Sequence, residues 1–91
     1  MKLYKTITIN DVEFRMYKIQ IKGLKLEGFR RFRFVYRVDS YLIWHDMTIS
    51  DDFLKVINNE NDPDRDTLIP FIYERCMAIG KKIIEREHNE H

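Results

Sequence analysis

The 91-residue sequence has little of the residues that build cofactor, metal and disulfide sites: it contains one cysteine, three glycines, two prolines and three histidines. With Cys76 alone, one chain can form neither an internal disulfide nor a cysteine-based zinc cage. Gly23, Gly28 and Gly80 match neither the dinucleotide-binding nor the P-loop pattern, because both patterns need closely spaced glycines. These shortages exclude nucleotide sites of those two kinds.

Long apolar runs are also missing. No stretch approaches the roughly 20 apolar residues that a helix needs to cross a bilayer, and the charged start MKLYKTITIN lacks the apolar core of a signal peptide. The single cysteine fits a reducing compartment. We therefore expect a cytoplasmic protein without a membrane partner.

Residue patterns for catalysis are absent as well. His45 and Asp46 are adjacent, and neighbours on a strand point to opposite faces, so the two do not predict an acid–base pair. His45 is expected to be a half-buried packing residue. Cys76 lies on an apolar stripe, where cysteine packs as a small hydrophobic residue. We expect neither an enzyme nor a bound cofactor.

Two weak metal patterns fail on their missing ligands. His88 and His91 are three residues apart near a helix end, but no third ligand on a rigid element accompanies them. Asp62, Asp64 and Asp66 are spaced like the start of a calcium loop, yet the glycine at the sixth position and the glutamate at the twelfth are absent. We expect no metal site.

The densest aromatic and arginine content lies in residues 28–47, GFRRFRFVYRVDSYLIWHDM. The residues alternate with the period of two that is typical of a strand with unlike faces. An apolar face would carry Phe32, Phe34, Tyr36 and Val38, and a cationic face would carry Arg31, Arg33, Val35 and Arg37. The stretch predicts a central β-hairpin with Asp39-Ser40 as its two-residue turn.

This turn predicts the register of the hairpin. Its apolar face would pair Val38 with Tyr41, Tyr36 with Ile43, Phe34 with His45 and Phe32 with Met47. Its other face would pair Arg37 with Leu42, Val35 with Trp44 and Arg33 with Asp46. The register therefore places one pair of opposite charges directly across from each other.

A first hairpin precedes the central one. Asn10-Asp11 predicts a turn that would pair Ile9 with Val12, Ile7 with Phe14 and Lys5 with Met16. After Met16 the apolar residues move from even to odd positions. This change predicts a β-bulge near Met16-Tyr17 or a strand buried on both faces there. Residues 23–28 form a connection whose two leucines belong either to a small lid or to a binding tip.

Two helices follow the hairpins. Ser50 is a good N-cap for a short helix over about 51–59, and residues 58–66, NNENDPDRD, read as a loop. Apolar spacing predicts a long helix over about 67–88, with Pro70 in its first turn, and Gly80 marks close packing on the sheet. We predict one α+β domain, 1–91, with a four-stranded antiparallel sheet (strands about 2–22 and 29–48) and the helices packed on one face.

Charge is divided along the chain. Residues 1–38 carry ten Lys or Arg against three Asp or Glu, whereas residues 39–66 carry two against eight. Such a layout suits either a charged partner or ordinary intramolecular complementarity. The acidic candidates for partner binding are Asp51, Asp52, Glu60, Asp62, Asp64 and Asp66. The basic and aromatic candidates for binding a partner or nucleic acid are Arg30, Arg31, Arg33, Arg37 and Trp44.

The residues KTITINDVEF, from Lys5 to Phe14, together with Tyr41 and the later SDDF of Ser50 to Phe53, resemble short proteins of unknown function from staphylococcal temperate phages. The pattern covers residues 1–60. A sheet followed by helices, with an acidic middle segment, is also similar in outline to small anti-CRISPR proteins, which bind a nuclease on its nucleic-acid site. Neither family offers a motif from which a functional residue is carried over. The resemblance implies a class, the small non-enzymatic proteins of mobile elements that bind a host macromolecule.

Three functional hypotheses follow from these observations. The first is a protein that binds, and inhibits, a host or defence-system protein. The second is a nucleic-acid-binding protein that uses the arginine face of the central hairpin, in which arginines neutralise phosphates and aromatics stack on bases. The third is a homodimer formed through an exposed strand or the last helix. The arginine face is available only if the helices pack on the opposite side of the sheet.

Overall fold

A computed structural model describes residues 1–89. Each strand of its sheet pairs with its neighbour in sequence, in the order β1-β2-β3-β4. The elements are β1 (Lys2–Ile9), β2 (Val12–Ile19), β3 (Phe29–Val38), β4 (Tyr41–Ser50), α1 (Asp51–Asn58) and α2 (Arg65–Asn89). The predicted α+β fold, a four-stranded antiparallel sheet followed by a short and a long helix, is confirmed.

The hairpin of β3 and β4 has the predicted register. Pairing runs without irregularity from Val38 opposite Tyr41 to Phe29 opposite Ser50. The turn residue Asp39 has a φ of 55°, a conformation that aspartate tolerates better than most residues. One short turn therefore fixes which side chains of both strands share a face.

The first hairpin also has its predicted pairs, Ile9 with Val12 and Ile7 with Phe14. Asn10 and Asp11 both have positive φ, at 49° and 64°. That combination is typical of a type I′ turn, whose twist matches that of the strands.

The predicted position of the bulge is wrong. The irregularity lies in β1, between Leu3 and Lys5, so Tyr4 is the extra residue. The Tyr4 ring packs on Phe32 with centroids 5.0 Å apart, and its hydroxyl accepts a hydrogen bond from Asn58 Nδ2 at 2.6 Å. The bulge thus turns Tyr4 towards α1. β2 pairs with β3 without irregularity up to its end at Ile19, earlier than the predicted strand end near residue 22.

Both helices cover the apolar face of the sheet. Core side chains from every strand and from both helices are buried together, including Ile7, Phe14, Met16, Phe32, Phe34, Tyr36, Ile43, Ile57, Ile72 and Cys76. No charged side chain is buried among the described residues. The alternation of apolar residues along the strands therefore decides which face of the sheet the helices occupy.

Gly80 allows α2 to approach the sheet closely. A Cβ at this position would lie 2.9 Å from Val38 Cγ2 and 3.2 Å from the Tyr36 hydroxyl oxygen. At 2.9 Å the Val38 methyl group would have to shift, so any side chain at this position would disturb the packing of α2 on the sheet. The predicted close packing at Gly80 is confirmed.

The ends of α1 are capped from both sides. Ser50 Oγ accepts a hydrogen bond from Phe53 N at 3.1 Å, as expected of an N-cap serine. At the other end, Lys5 Nζ donates to the Ile57 carbonyl at 3.2 Å, where a cation favours the helix dipole. The bulge beside Lys5 and the cap therefore fix α1 against β1.

The long helix begins earlier than predicted. Its first residue is Arg65, whose N–H donates to the Asp62 carbonyl at 3.1 Å, and the Asp64 carbonyl accepts from Leu68 N at 2.9 Å. Pro70 therefore lies in the second helical turn, and its predicted first-turn position is wrong. The aspartate-rich loop between α1 and α2 supplies backbone carbonyls that accept the first hydrogen bonds of the helix, so the helix starts before Pro70.

Candidate binding surface on the open sheet face

The face of the sheet opposite the helices carries no covering element within residues 1–89. We call it the open face. It consists of the side chains that alternate with the core residues along each strand. Its members, read from the strand registers, are Leu3, Thr6, Thr8, Glu13, Arg15, Tyr17, Ile19, Phe29, Arg31, Arg33, Val35, Arg37, Leu42, Trp44, Asp46, Thr48 and Ser50.

A cluster of three side chains lies at the centre of the hairpin's open face. Arg33 donates two hydrogen bonds to Asp46, from Nε at 2.8 Å and from Nη2 at 3.3 Å. The guanidinium carbon of Arg33 lies 4.1 Å from the centroid of the Trp44 ring. Arg33 is therefore held both by a bidentate ion pair and by a cation–π contact.

The charges of this cluster stabilise each other. The hydrogen bond from Arg33 holds the pKa of Asp46 below its usual value, and the same bond raises the pKa of Arg33. Both groups are thus ionised at neutral pH. The cluster presents a prearranged guanidinium on an aromatic ring.

Arg15 is partly neutralised on the neighbouring strand. Its Nε lies 3.0 Å from Glu13 Oε1, with both side chains exposed, and the hydrogen bond to Glu13 raises the pKa of Arg15. Arg31 Nη1 donates to Thr48 Oγ1 at 3.3 Å. Within residues 1–89, neither Arg31 nor Arg37 forms an ion pair. Four arginines and two acids leave the open face with an excess of two positive charges.

Apolar surface is interleaved with these charges. Trp44 is 56% exposed and Leu42 is 60% exposed. Val35 and Tyr17 are half-buried on the strands beside them. Large apolar side chains next to arginine are typical of the central part of protein interfaces.

Arg30 does not share this surface with the other predicted basic residues. Arg30 pairs with Ile49, and both belong to the alternate positions whose side chains point to the helix-covered face. Its Nε lies 3.4 Å from Asp51 Oδ1 at the start of α1. The structure brings Arg31, Arg33, Arg37 and Trp44 together and places Arg30 on the other side of the sheet. The reason is the alternation of side chains along one strand.

The acidic candidates are distributed over helix starts and a loop. Asp51 and Asp52 lie in the first turn of α1, and Asp66 lies in that of α2, where the helix dipole favours negative charge. Asp62 Oδ1 accepts a hydrogen bond from the Asp64 backbone N–H at 2.9 Å. Glu60 is exposed in the same loop. Asp51, Asp52 and Asp66 therefore favour the starts of the helices, and the Asp62 carboxylate shapes the loop.

Sequence reasoning misses a buried polar network. The Tyr36 hydroxyl donates a hydrogen bond to the Cys76 carbonyl and lies 2.8 Å from His45 Nε2. Because the hydroxyl proton goes to Cys76, His45 Nε2 must carry the proton that it donates to Tyr36. The predicted register already places Tyr36 and His45 on one face, but only the helix position supplies Cys76.

This network lies between the sheet and α2, with Tyr36 and Cys76 buried and His45 half-buried. His45 Nδ1 is buried without a hydrogen-bond partner, and burial lowers the pKa of His45. Burial also raises the pKa of Tyr36, and it raises that of Cys76 to about 12. The ring of His45 stacks on Phe34 at an interplanar angle of 4°. The predicted packing role of His45 is confirmed.

The connection between β2 and β3 exposes apolar side chains. Leu24 is 52% exposed and Leu26 is 39% exposed, and both line a cleft of about 680 Å³ together with Arg31. Gly23 and Gly28 have positive φ, which glycine adopts without strain. The leucines do not pack into the core, so the tip of this connection stays accessible.

Metal-binding and membrane-spanning patterns are absent from the part of the chain that the structure describes. Within residues 1–89, no group of three or more His, Cys, Asp or Glu side chains is placed to hold a metal ion. His91, which the weak histidine pattern included, lies outside the described residues. None of the described helices is long and apolar enough to cross a membrane.

Comparisons with models of known protein families, with curated proteins and with solved structures give no match.

Proposed function

We propose that this chain is a small non-enzymatic protein that binds and inhibits a host or defence-system protein in the cytoplasm of the host cell, using the open face. The class follows the resemblance to small phage and anti-CRISPR proteins. The observation that carries the choice of surface is the position of the helices on the apolar face. This position leaves Trp44 and its cluster with Arg33 accessible to a partner.

The composition of the open face favours a protein partner. Tryptophan, tyrosine and arginine dominate the binding energy of protein interfaces, and the face carries all three residue types, interleaved with Val35 and Leu42. Two of its four arginines are already paired with acids, Arg33 with Asp46 and Arg15 with Glu13. A partner with an apolar patch flanked by carboxylates would match this surface.

Prearrangement supports the same proposal. Arg33 is fixed by two hydrogen bonds and by the ring of Trp44, so little side-chain entropy remains to be lost on binding. Arg31 and Arg37 flank the cluster with their guanidinium groups outside any ion pair of residues 1–89. They provide charges that a partner's carboxylates can reach.

Site-specific photo-crosslinking tests the choice of surface. A photoreactive amino acid is placed at Arg37 on the open face and, in a control, at Lys82 on the exposed side of α2. We expect one partner protein to be crosslinked from position 37 in host cells and not from position 82. Equal crosslinking from both positions, or none from position 37, would contradict the proposal.

Charge reversal provides the matched binding measurement. Arg37→Glu and Lys82→Glu change the charge equally at two exposed positions. With the purified crosslinked partner, we expect Arg37→Glu to weaken binding at least about tenfold because it opposes the partner's carboxylates. Lys82→Glu should bind like the wild type, and inhibition of the partner's activity should follow the binding constants.

Single-stranded nucleic acid is the second candidate partner. Sites that bind single strands combine phosphate contacts with base stacking. The excess of two positive charges on the open face and the exposed aromatic ring of Trp44 therefore favour this partner. Fluorescence anisotropy with labelled oligonucleotides tests this candidate. Binding should weaken as salt increases and should be lost in Arg33→Glu. Absence of binding at low salt would exclude single-stranded nucleic acid as the partner.

A further inference from the structure

The two edges of the sheet differ in how they are protected. β1 is one edge and β4 is the other. β1 carries Lys2 and Lys5 and is interrupted by the bulge at Tyr4, and both lysines and bulges prevent a strand from pairing with another chain. β4 is ten residues long, contains no lysine, arginine or proline, and pairs with β3 without irregularity. It is a regular, unprotected edge.

The backbone of β4 has hydrogen-bonding groups that β3 does not use. In a hairpin with a two-residue turn, the two residues that close the turn exchange backbone hydrogen bonds. The next residue along each strand, and every second residue after it, points its N–H and C=O groups away from the partner strand. Val38 and Tyr41 close this turn. The outward groups therefore belong to Leu42, Trp44, Asp46 and Thr48.

We propose that β4 pairs antiparallel with β4 of a second copy of this chain, and that the two sheets join into one of eight strands. The side chains of β4 fit a copy of themselves. Asp46 is the single carboxylate of the strand, and Arg33 neutralises it at 2.8 Å. Two copies therefore approach along this edge without bringing unpaired like charges together.

The groove above the edge is self-complementary as well. Its volume is about 490 Å³, and it lies between the end of β4 and the two helices, lined mainly by apolar side chains such as Met47 and Phe71. Glu74 and Arg75 lie side by side at the same groove. In an isologous interface each contact occurs twice, so a contact between Glu74 of one copy and Arg75 of the other would form in both directions.

The symmetry decides where the open faces lie. Antiparallel pairing within one sheet places the two-fold axis perpendicular to that sheet, so the helices of both copies lie on one side. Both open faces then lie on the other side and form one surface. The two Trp44 rings are brought towards the centre of the assembly, because β4 is the strand at the junction.

Two proline variants test which edge is used. Thr48→Pro removes one outward N–H from β4, and Thr8→Pro removes one from β1, where Ile9 and Val12 close the turn in the same way. In sedimentation equilibrium the wild type should have twice the chain mass of 11.2 kDa. Thr8→Pro should keep that mass, and Thr48→Pro should halve it.

The proposal would be overturned by a wild-type monomer at every soluble concentration, by a dimer that survives in folded Thr48→Pro, or by a dimer that Thr8→Pro disrupts. Polymers of increasing mass would also overturn it, because they indicate pairing of β4 with β1 of the next copy. The measurement uses purified protein without a partner, so its outcome is independent of the proposed inhibitory function.

Hydrogen exchange on the wild type covers the case in which Thr48→Pro does not fold. The amide protons of Leu42, Trp44 and Thr48 should exchange more slowly as protein concentration rises, since dimers bury them. Those of Thr6 and Thr8 on the protected edge should not change with concentration. Fast, concentration-independent exchange in β4 would overturn the proposal.

Discussion

The two faces of the sheet are built by the same strands yet have opposite properties. On β3, Phe34 is fully buried beneath the helices, whereas the next residue, Val35, belongs to the open face. The covered face holds the fold together, and the open face holds arginine, tryptophan and two acids in fixed positions. The difference shows that one alternating strand can supply both core residues and an exposed, arginine-rich face with no change in its backbone.

Truncation of one aromatic residue on each face should give the largest contrast. Phe34→Ala removes a ring that is 0% exposed, and Trp44→Ala removes one that is 56% exposed. Phe34→Ala should lower the free energy of unfolding by about 3–5 kcal/mol. Trp44→Ala should lower it by about 1 kcal/mol or less, because more than half of the Trp44 surface is already exposed. Urea denaturation measures both, and equal losses would contradict the assignment of the two faces.

Acid should weaken the covered face through His45. Burial lowers the pKa of folded His45, so as pH falls below about 6.5 the unfolded chain takes up a proton that the folded chain refuses. The stability of the wild type should therefore be highest above this pH and should fall below it.

The measurement is the free energy of unfolding between about pH 7.5 and about pH 5, a range in which carboxylates stay ionised. His45→Phe removes the titrating ring and should reduce the slope with pH. An unchanged slope in this variant would show that another group causes the loss. The effect is expected to be smaller than that of Phe34→Ala, since no core volume is lost.

Ion pairs on the open face should give the smallest effects. A double-mutant cycle with Arg33→Met and Asp46→Asn measures one pair, whose side chains are 27% and 23% exposed, and a cycle with Arg15→Met and Glu13→Gln measures the other, with both side chains 55% exposed. The coupling of Arg33 with Asp46 should be the larger because water screens it less. Both should shrink as salt increases, and a stronger coupling in the more exposed pair would contradict this ranking.

The hairpins are predictable from sequence because their information is local. Asn10-Asp11 and Asp39-Ser40 are turns of two residues, and a turn of known length fixes the register of both strands. The opposition of Arg33 to Asp46 follows from that register alone. Strand parity then predicts which residues share each face.

Long-range contacts account for what the sequence does not reveal. The bulge at Tyr4 brings the hydroxyl of Tyr4 to Asn58, more than fifty residues away along the chain. The hydrogen bond from Tyr36 to the Cys76 carbonyl depends on where the helix crosses the sheet. Neither of these contacts has a pattern within one element.

The sequence predicts which residues belong to the candidate surface, but it does not predict whether that surface is exposed. Alternation groups Arg31, Arg33 and Arg37 on one face, and it also separates Arg30 from them. Whether a helix covers that face depends on the packing of α1 and α2, which is a property of the whole core. The structure therefore supplies the accessibility on which the proposed binding rests.

The strand order has a consequence for the way the chain acquires its structure during synthesis. Every pairing joins neighbours in sequence, so the four strands can assemble in the order in which they leave the ribosome. The long helix comes last, and it contributes Ile69, Ile72 and Cys76 to the core. Until that helix is made, the nascent sheet presents its apolar side to the cell, where chaperones and proteases bind such surfaces. Completion of the final helix thus ends the period in which the newly made chain is most vulnerable.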